Sequence, residues 1–175
     1  MFTDEVLRTE PAVFAVGKNY HIMVQVNVPA LMWVEVGGKK YFDESNGVLK
    51  SECLVHKVIV PMAELDIVQK YTICYRKMIE RKAYYTETEE PVQLEFDFLP
   101  VSGDNVRCYH IADAHNLVEE PVKAYQNYIE VNGKIDFLIL NGDIPEDCSK
   151  IENVDTVYQI AAQITHGNIP IVFVG

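Results

Sequence analysis

Apolar and polar positions follow one period up to about residue 99 and another beyond it. In Tyr20–Val28, Ile22, Val24, Val26 and Val28 share one pleat; Met23 alone breaks the polar alternate. Leu31–Val36 follows with Trp33 at its centre, then a Gly37-Gly38 turn and the short run Lys39–Phe42. Val55–Val60, Tyr71–Ile79 and Val92–Phe98 continue the alternation. Such half-buried strands need a second sheet over their apolar faces, so residues 11–100 are predicted to form a β-sandwich with Trp33 in its core. Residues 1–10 lead into it.

After Pro100–Asn105, a linker by composition, the period lengthens. Val106–Ala112 reads as a strand. Pro121–Val131 reads as a helix with proline in its first turn and Gly133 just past its end. Ile135–Leu140 is a continuous apolar strand of the kind buried on both faces. Ile151, Val154, Val157, Ile160, Ala161 and Ile164 recur at helical spacing before Gly167, and Ile169–Val174 is a third strand. The order βαβαβ implies a parallel α/β sheet over residues 101–175, with ligands expected at the carboxyl ends of its strands.

Candidate chemistry lies at those ends. Ala112-Asp113-Ala114-His115-Asn116 follows the first of these strands and Asn141-Gly142-Asp143-Ile144-Pro145 the second; the third ends at Val174-Gly175. Carboxylate and imidazole together suit divalent ions such as zinc, manganese and iron. Singly, each aspartate is as readily a turn former or helix cap.

The three motifs in this order resemble those of the calcineurin-like metallophosphoesterases: Asp-x-His, then Gly-Asp, then Gly-Asn-His-Asp/Glu. The resemblance implies that residues 101–175 are the βαβαβ half of a four-layer αββα sandwich. It implies two divalent metal ions (Mn, Fe or Zn), with Asp113 and His115 on one and Asp143 bridging both. The substrate it implies is a phosphate monoester or diester. Gly175 would be the glycine of the third motif. The asparagine and catalytic histidine would then follow it, leaving no catalytic residue within the chain and a fragment inactive alone. Leu65 and Tyr71, at the entry to a strand, resemble the tyrosine corner of fibronectin type III domains. Purple acid phosphatases also place such a domain before the phosphoesterase domain. They carry a tyrosine three residues after the second-motif aspartate, where this chain has Glu146, so a ferric centre of that kind is not expected. Ala112 replaces a frequent glycine before the first aspartate. The alternative function is a non-catalytic scaffold or binding protein on the same fold.

Charge narrows the partners. The net charge of -11 divides into -4 over residues 1–100 and -7 over residues 101–175. An acidic second half argues against binding a nucleic-acid backbone. No apolar run approaches the roughly 20 residues of a membrane span, and the N-terminus lacks the pattern of a secretory signal. Cys53, Cys74, Cys108 and Cys148 show no Cys-x-x-Cys or other tight metal-ligand spacing, which points to a reduced, cytoplasmic protein. His21, His56, His110 and His166 read as structural or exposed. An uncovered edge on the third strand would invite self-association.

Overall fold

The structure is a computed structural model that describes residues 4–174. Gly175, the expected glycine of the third motif, lies outside the described residues. The described residues are mostly β, with several sheets and three helices. In chain order the elements are β1 (Ala12–Val16), β2 (Asn19–Gln25), β3 (Ala30–Val36), β4 (Lys39–Phe42), β5 (Glu44–Ser45), β6 (Val48–Leu49) and β7 (Val55–Pro61). There follow α1 (Met62–Val68), β8 (Lys70–Arg81), β9 (Thr86–Thr88), β10 (Val92–Asp97), β11 (Cys108–Ile111), α2 (Glu119–Asn132), β12 (Phe137–Asn141), α3 (Ile151–Thr165) and β13 (Ile171–Val174).

The period of two builds the sandwich core. Ile22 and Val24 from β2, Val58 and Val60 from β7, and Val13 from β1 face Met32, Val34 and Val36 from β3 and Tyr71, Ile73 and Tyr75 from β8. Trp33 falls on the other pleat. It is half-buried outside the core, its indole N–H donating to Glu35 at 2.9 Å, its ring against Phe42 and beneath the Lys40 ammonium. The expectation of a core tryptophan is therefore corrected, since alternation with Met32 and Val34 turns it outward.

The period of 3.6 builds the second core. Val122 and Tyr125 of α2 and Val157, Ile160, Ala161 and Ile164 of α3 cover Ile111, Leu138, Leu140 and Ile171. β11, β12 and β13 pair in parallel, as the βαβαβ order requires.

One sheet runs through both stretches of the chain. Its order is β11-β12-β13-β1-β2-β7, because β13 pairs in parallel with β1 through Ile171 and Phe14. The second sheet runs β10-β8-β3-β4. β1 therefore serves both cores: Val13 faces the sandwich, while Ala12 and Phe14 face α3. With a neighbour on each side, β13 offers no open edge, contrary to expectation. The sheet ends instead at β11, whose Cys108 and His110 are exposed.

Polar groups lock this junction. Tyr71 is fully buried, and its hydroxyl donates to the Gly167 carbonyl at 2.8 Å. Burial, reinforced by the Glu10 carboxylate, pushes that hydroxyl's pKa well above its usual value. A tyrosine corner would bond to backbone a few residues upstream, so the expected local corner is corrected to a long-range tie. Leu65, its proposed companion, is buried on α1. Asp155 of α3, almost fully buried, accepts from Arg8 Nη1 and Gln25 Nε2, each at 2.6 Å. Leu99 N–H donates to the Asn168 carbonyl at 2.8 Å. Farther away, His56 of β7 is buried against Asp43. Burial works to raise the Asp43 pKa, but hydrogen bonds from His56 and the Lys57 N–H outweigh it and the net shift is downward. No helix of the described residues is long and apolar enough to cross a membrane.

Gly167 has φ +72°, and an added Cβ would stand 2.5 Å from the Tyr71 hydroxyl and 2.7 Å from Pro11 Cγ. Tyr71→Phe leaves a buried carbonyl without its donor and should cost about 1–3 kcal/mol in urea unfolding of the 175-residue chain. Gly167→Ala should cost more, adding backbone strain and steric overlap to the same loss. Wild-type stability in either variant would remove this tie from the account of the junction.

Candidate functional site

The two acidic motifs lie side by side at the carboxyl ends of β11 and β12. Strand pairing ends at Ile111 opposite Leu140, and each chain then turns out of the sheet. Backbone bonds clasp the two turns: Asp113 N–H to the Gly142 carbonyl at 3.2 Å, His115 N–H to Asp143 at 3.0 Å, and Asn116 N–H to Ile144 at 3.1 Å. Ala114 and Ile144 are buried beneath the clasp, which anchors both loops to the core. The Asn116 side chain adds to it, its carbonyl accepting from Glu146 N–H at 3.0 Å and its amide donating to Glu146 Oε2 at 3.4 Å. Asp147 is held within its own turn by the Ser149 hydroxyl and N–H, which lower its pKa.

The third strand reaches the same place. β13 pairs Val174 with Asn141, and Gly142 N–H donates to the Val174 carbonyl at 3.0 Å. Val174, the last described residue, therefore lies beside the turn that carries Asp143.

The backbone here is unusual. Asp113 (φ 54°), His115 (46°), Asn116 (67°) and Asp143 (45°) all lie in the left-handed region. Asp, Asn and His tolerate that region better than other non-glycine residues, yet four of them on two clasped loops is a concentration of strain. Gly142 is also left-handed, at φ 61°, and a Cβ there would meet nothing within 4 Å. The turn conformation, rather than close packing, asks for glycine at this position.

Asp113, His115 and Asp143 are exposed. The clasp brings their loops together, but the three do not form a group with donor atoms within 4.8 Å of one another. Among the described residues only Asp43, Cys53 and His56 do. As a donor set, two carboxylates and an imidazole on one rim of a sheet fit hard and borderline divalent ions. Beside the rim an apolar groove of about 420 Å3 runs between α3 and the sheet, lined in part by Phe14, Pro145, Tyr158 and Phe173.

No family model and no curated protein matches this chain.

Two features were not found from the sequence. The pairing of Asn116 with Glu146 joins residues 30 positions apart and leaves no local pattern. The Asp43–Cys53–His56 group does leave one, because Cys53 and His56 stand at a Cys-x-x-His spacing. The expectation of no tight metal-ligand spacing at the cysteines is corrected here, since the ligand partner of Cys53 is a histidine and not a second cysteine.

If His115 is kept for its imidazole rather than for the fold, His115→Gly relieves a left-handed non-glycine residue and removes nothing the fold needs. Thermal melting should show stability unchanged or raised by up to about 1 kcal/mol. A loss above about 1 kcal/mol would mark His115 as a structural residue of the loop.

Proposed function

We propose that this chain belongs to a metal-dependent phosphoesterase, hydrolysing phosphate monoesters or diesters, and that residues 106–174 form the first half of its catalytic domain. The reading rests chiefly on one observation. Two loops, carrying Asp113 and His115 on one and Asp143 on the other, leave the carboxyl ends of the adjacent parallel strands β11 and β12 and are tied to each other by backbone bonds, with β13 ending beside them at Val174. Asp113 and His115, two positions apart on one loop, would hold the first ion. Asp143 would bridge to a second ion through its two carboxylate oxygens. When bound, such a pair supplies a hydroxide and neutralises charge on the phosphoryl oxygens. The clasp fixes the spacing of the two loops, and Asn116 with Glu146 holds the rim of the second. The sandwich of residues 11–100 is read as the fibronectin type III-like domain that accompanies some relatives of this class. Four cysteines without a disulfide suit a reducing, cytoplasmic setting.

In this reading the remaining ligands and the catalytic histidine come from motifs beyond the glycine of the third. The 175-residue chain alone should bind Mn(II) weakly and not turn over. In a chain carrying the third motif entire, Mn(II) should support hydrolysis of an aryl phosphate ester and a chelator should abolish it. Asp143→Ala should lower kcat by at least about a hundredfold, whereas Glu146→Ala, which only braces the loop, should cost less than about tenfold. Equal losses would remove Asp143 from the bridging role, and activity untouched by chelation would reject the metal-dependent reading altogether.

A further inference from the structure

Asp43 follows β4, the outer strand of the five-stranded sheet; Cys53 and His56 flank the start of β7, the outer strand of the six-stranded sheet. Their donor atoms form a small triangle. His56 Nδ1 lies 2.9 Å from Asp43 Oδ2 and 3.6 Å from Cys53 Sγ, and Sγ lies 4.0 Å from Oδ2. The circle through these three atoms has a radius of about 2.1 Å, and zinc binds nitrogen, oxygen and sulfur at about 2.0–2.3 Å. A cation slightly out of the plane therefore reaches all three with shifts of a few tenths of an ångström. We infer that Asp43, Cys53 and His56 form a second metal site, selective for zinc-like ions, that clips the outer strands of the two sheets together.

The surroundings support a cation here. The two harder ligands are buried, His56 at 0% and Asp43 at 1% exposure, so neither needs to be dried to bind. Asp43 Oδ1 is buried without a hydrogen-bond partner. The Lys50 ammonium stands 3.3 Å from it, near enough for ion pairing but without hydrogen-bond geometry, and is partly exposed and able to move into solvent. The backbone N–H of Lys57 donates to Oδ2 at 3.2 Å and fixes the carboxylate, the outer support that metal ligands require. A cavity of about 550 Å3 lined by Asp43, Glu44, Ser45 and Lys50 opens on the Asp43 side of the group. The mixture of thiolate, imidazole and carboxylate favours zinc over magnesium or calcium. On coordination the Cys53 thiol loses its proton to solvent, and the imidazole stays neutral with its remaining N–H on Nε2.

The same residues do not fit a nucleophilic Cys-His-Asp relay. That arrangement needs sulfur on one ring nitrogen and carboxylate on the other, whereas Sγ is almost equally far from both, 3.6 and 3.8 Å.

The site is independent of the proposed phosphoesterase centre and is tested on the metal-free 175-residue chain. One equivalent of Co(II) should produce a sulfur-to-cobalt charge-transfer band. Zn(II) should displace it and slow alkylation of Cys53, mapped by mass spectrometry, by more than about tenfold. Cys53→Ser should abolish the band, and Asp143→Asn should leave it intact. The inference is overturned if the wild-type chain shows no band, if the band survives Cys53→Ser and so belongs to Cys108 or Cys148, or if Zn(II) leaves Cys53 alkylation unchanged. The wild-type measurements decide the matter even if the variant fails to fold.

Discussion

The hydroxyl of Tyr71 donates to the carbonyl of Gly167 across 96 positions of sequence, inside a space too tight for any side chain at residue 167. That bond fixes where α3 ends and therefore where β13 begins. From Gly167 the chain has only to Ile171 to enter the sheet beside Phe14 of β1. A different exit from α3 would shift β13 along β1, and a one-residue slip would turn Ile171 from the helix-covered face to the other. The position of Val174 beside Gly142, and so the end of β13 next to the two clasped loops, depends on this one buried contact.

The other long-range polar contacts repeat the logic at lower stakes. Asp155 would be costly alone in the interior; Arg8 and Gln25 make it tolerable by donating to both its oxygens. Arg8 comes from the N-terminal segment and Gln25 from the end of β2, so a charge on α3 selects one docking of the helix on the sandwich sheet. Apolar packing alone would not choose as sharply, because Phe14, Met23 and Tyr158 can slide over one another. The Asp43–His56 pair joins the residue after β4 to β7, the outer strands of the two sheets.

Local pattern made much of this legible. Alternation in β2, β3, β7 and β8 gave the sandwich strands within a few residues, and helical spacing gave α2 and α3 nearly to their ends. The helix α1 was missed because it is seven residues long, has no side-chain cap and ends on a left-handed Gln69 instead of a glycine. The pairing of β1 with β13 could not be read, since parallel pairing between strands so far apart leaves no trace in either. The apolar pattern put Asp113, His115 and Asp143 in turns at strand ends, where the structure has them, because strand-then-turn is a local signal. It could not say whether their donor atoms converge, which depends on side-chain directions set by the left-handed backbone.

Charge on the rim bears on how such a site would have to work. Asp113, Asp143, Glu146 and Asp147 stand on the two clasped loops, while the second half has four basic residues, two of them committed elsewhere. Arg107 is bonded to the carbonyls of Asn132 and Lys134 near the start of β11, and Lys123 pairs with Glu119. A phosphate ester approaching bare loops would meet repulsion of like sign. Under the proposed reading the ions must therefore bind before the substrate. Their positive charge would offset the carboxylates, and only then would the rim attract an anionic ester. The acidity that argues against nucleic-acid binding by the second half is, in that order of events, what loads the site.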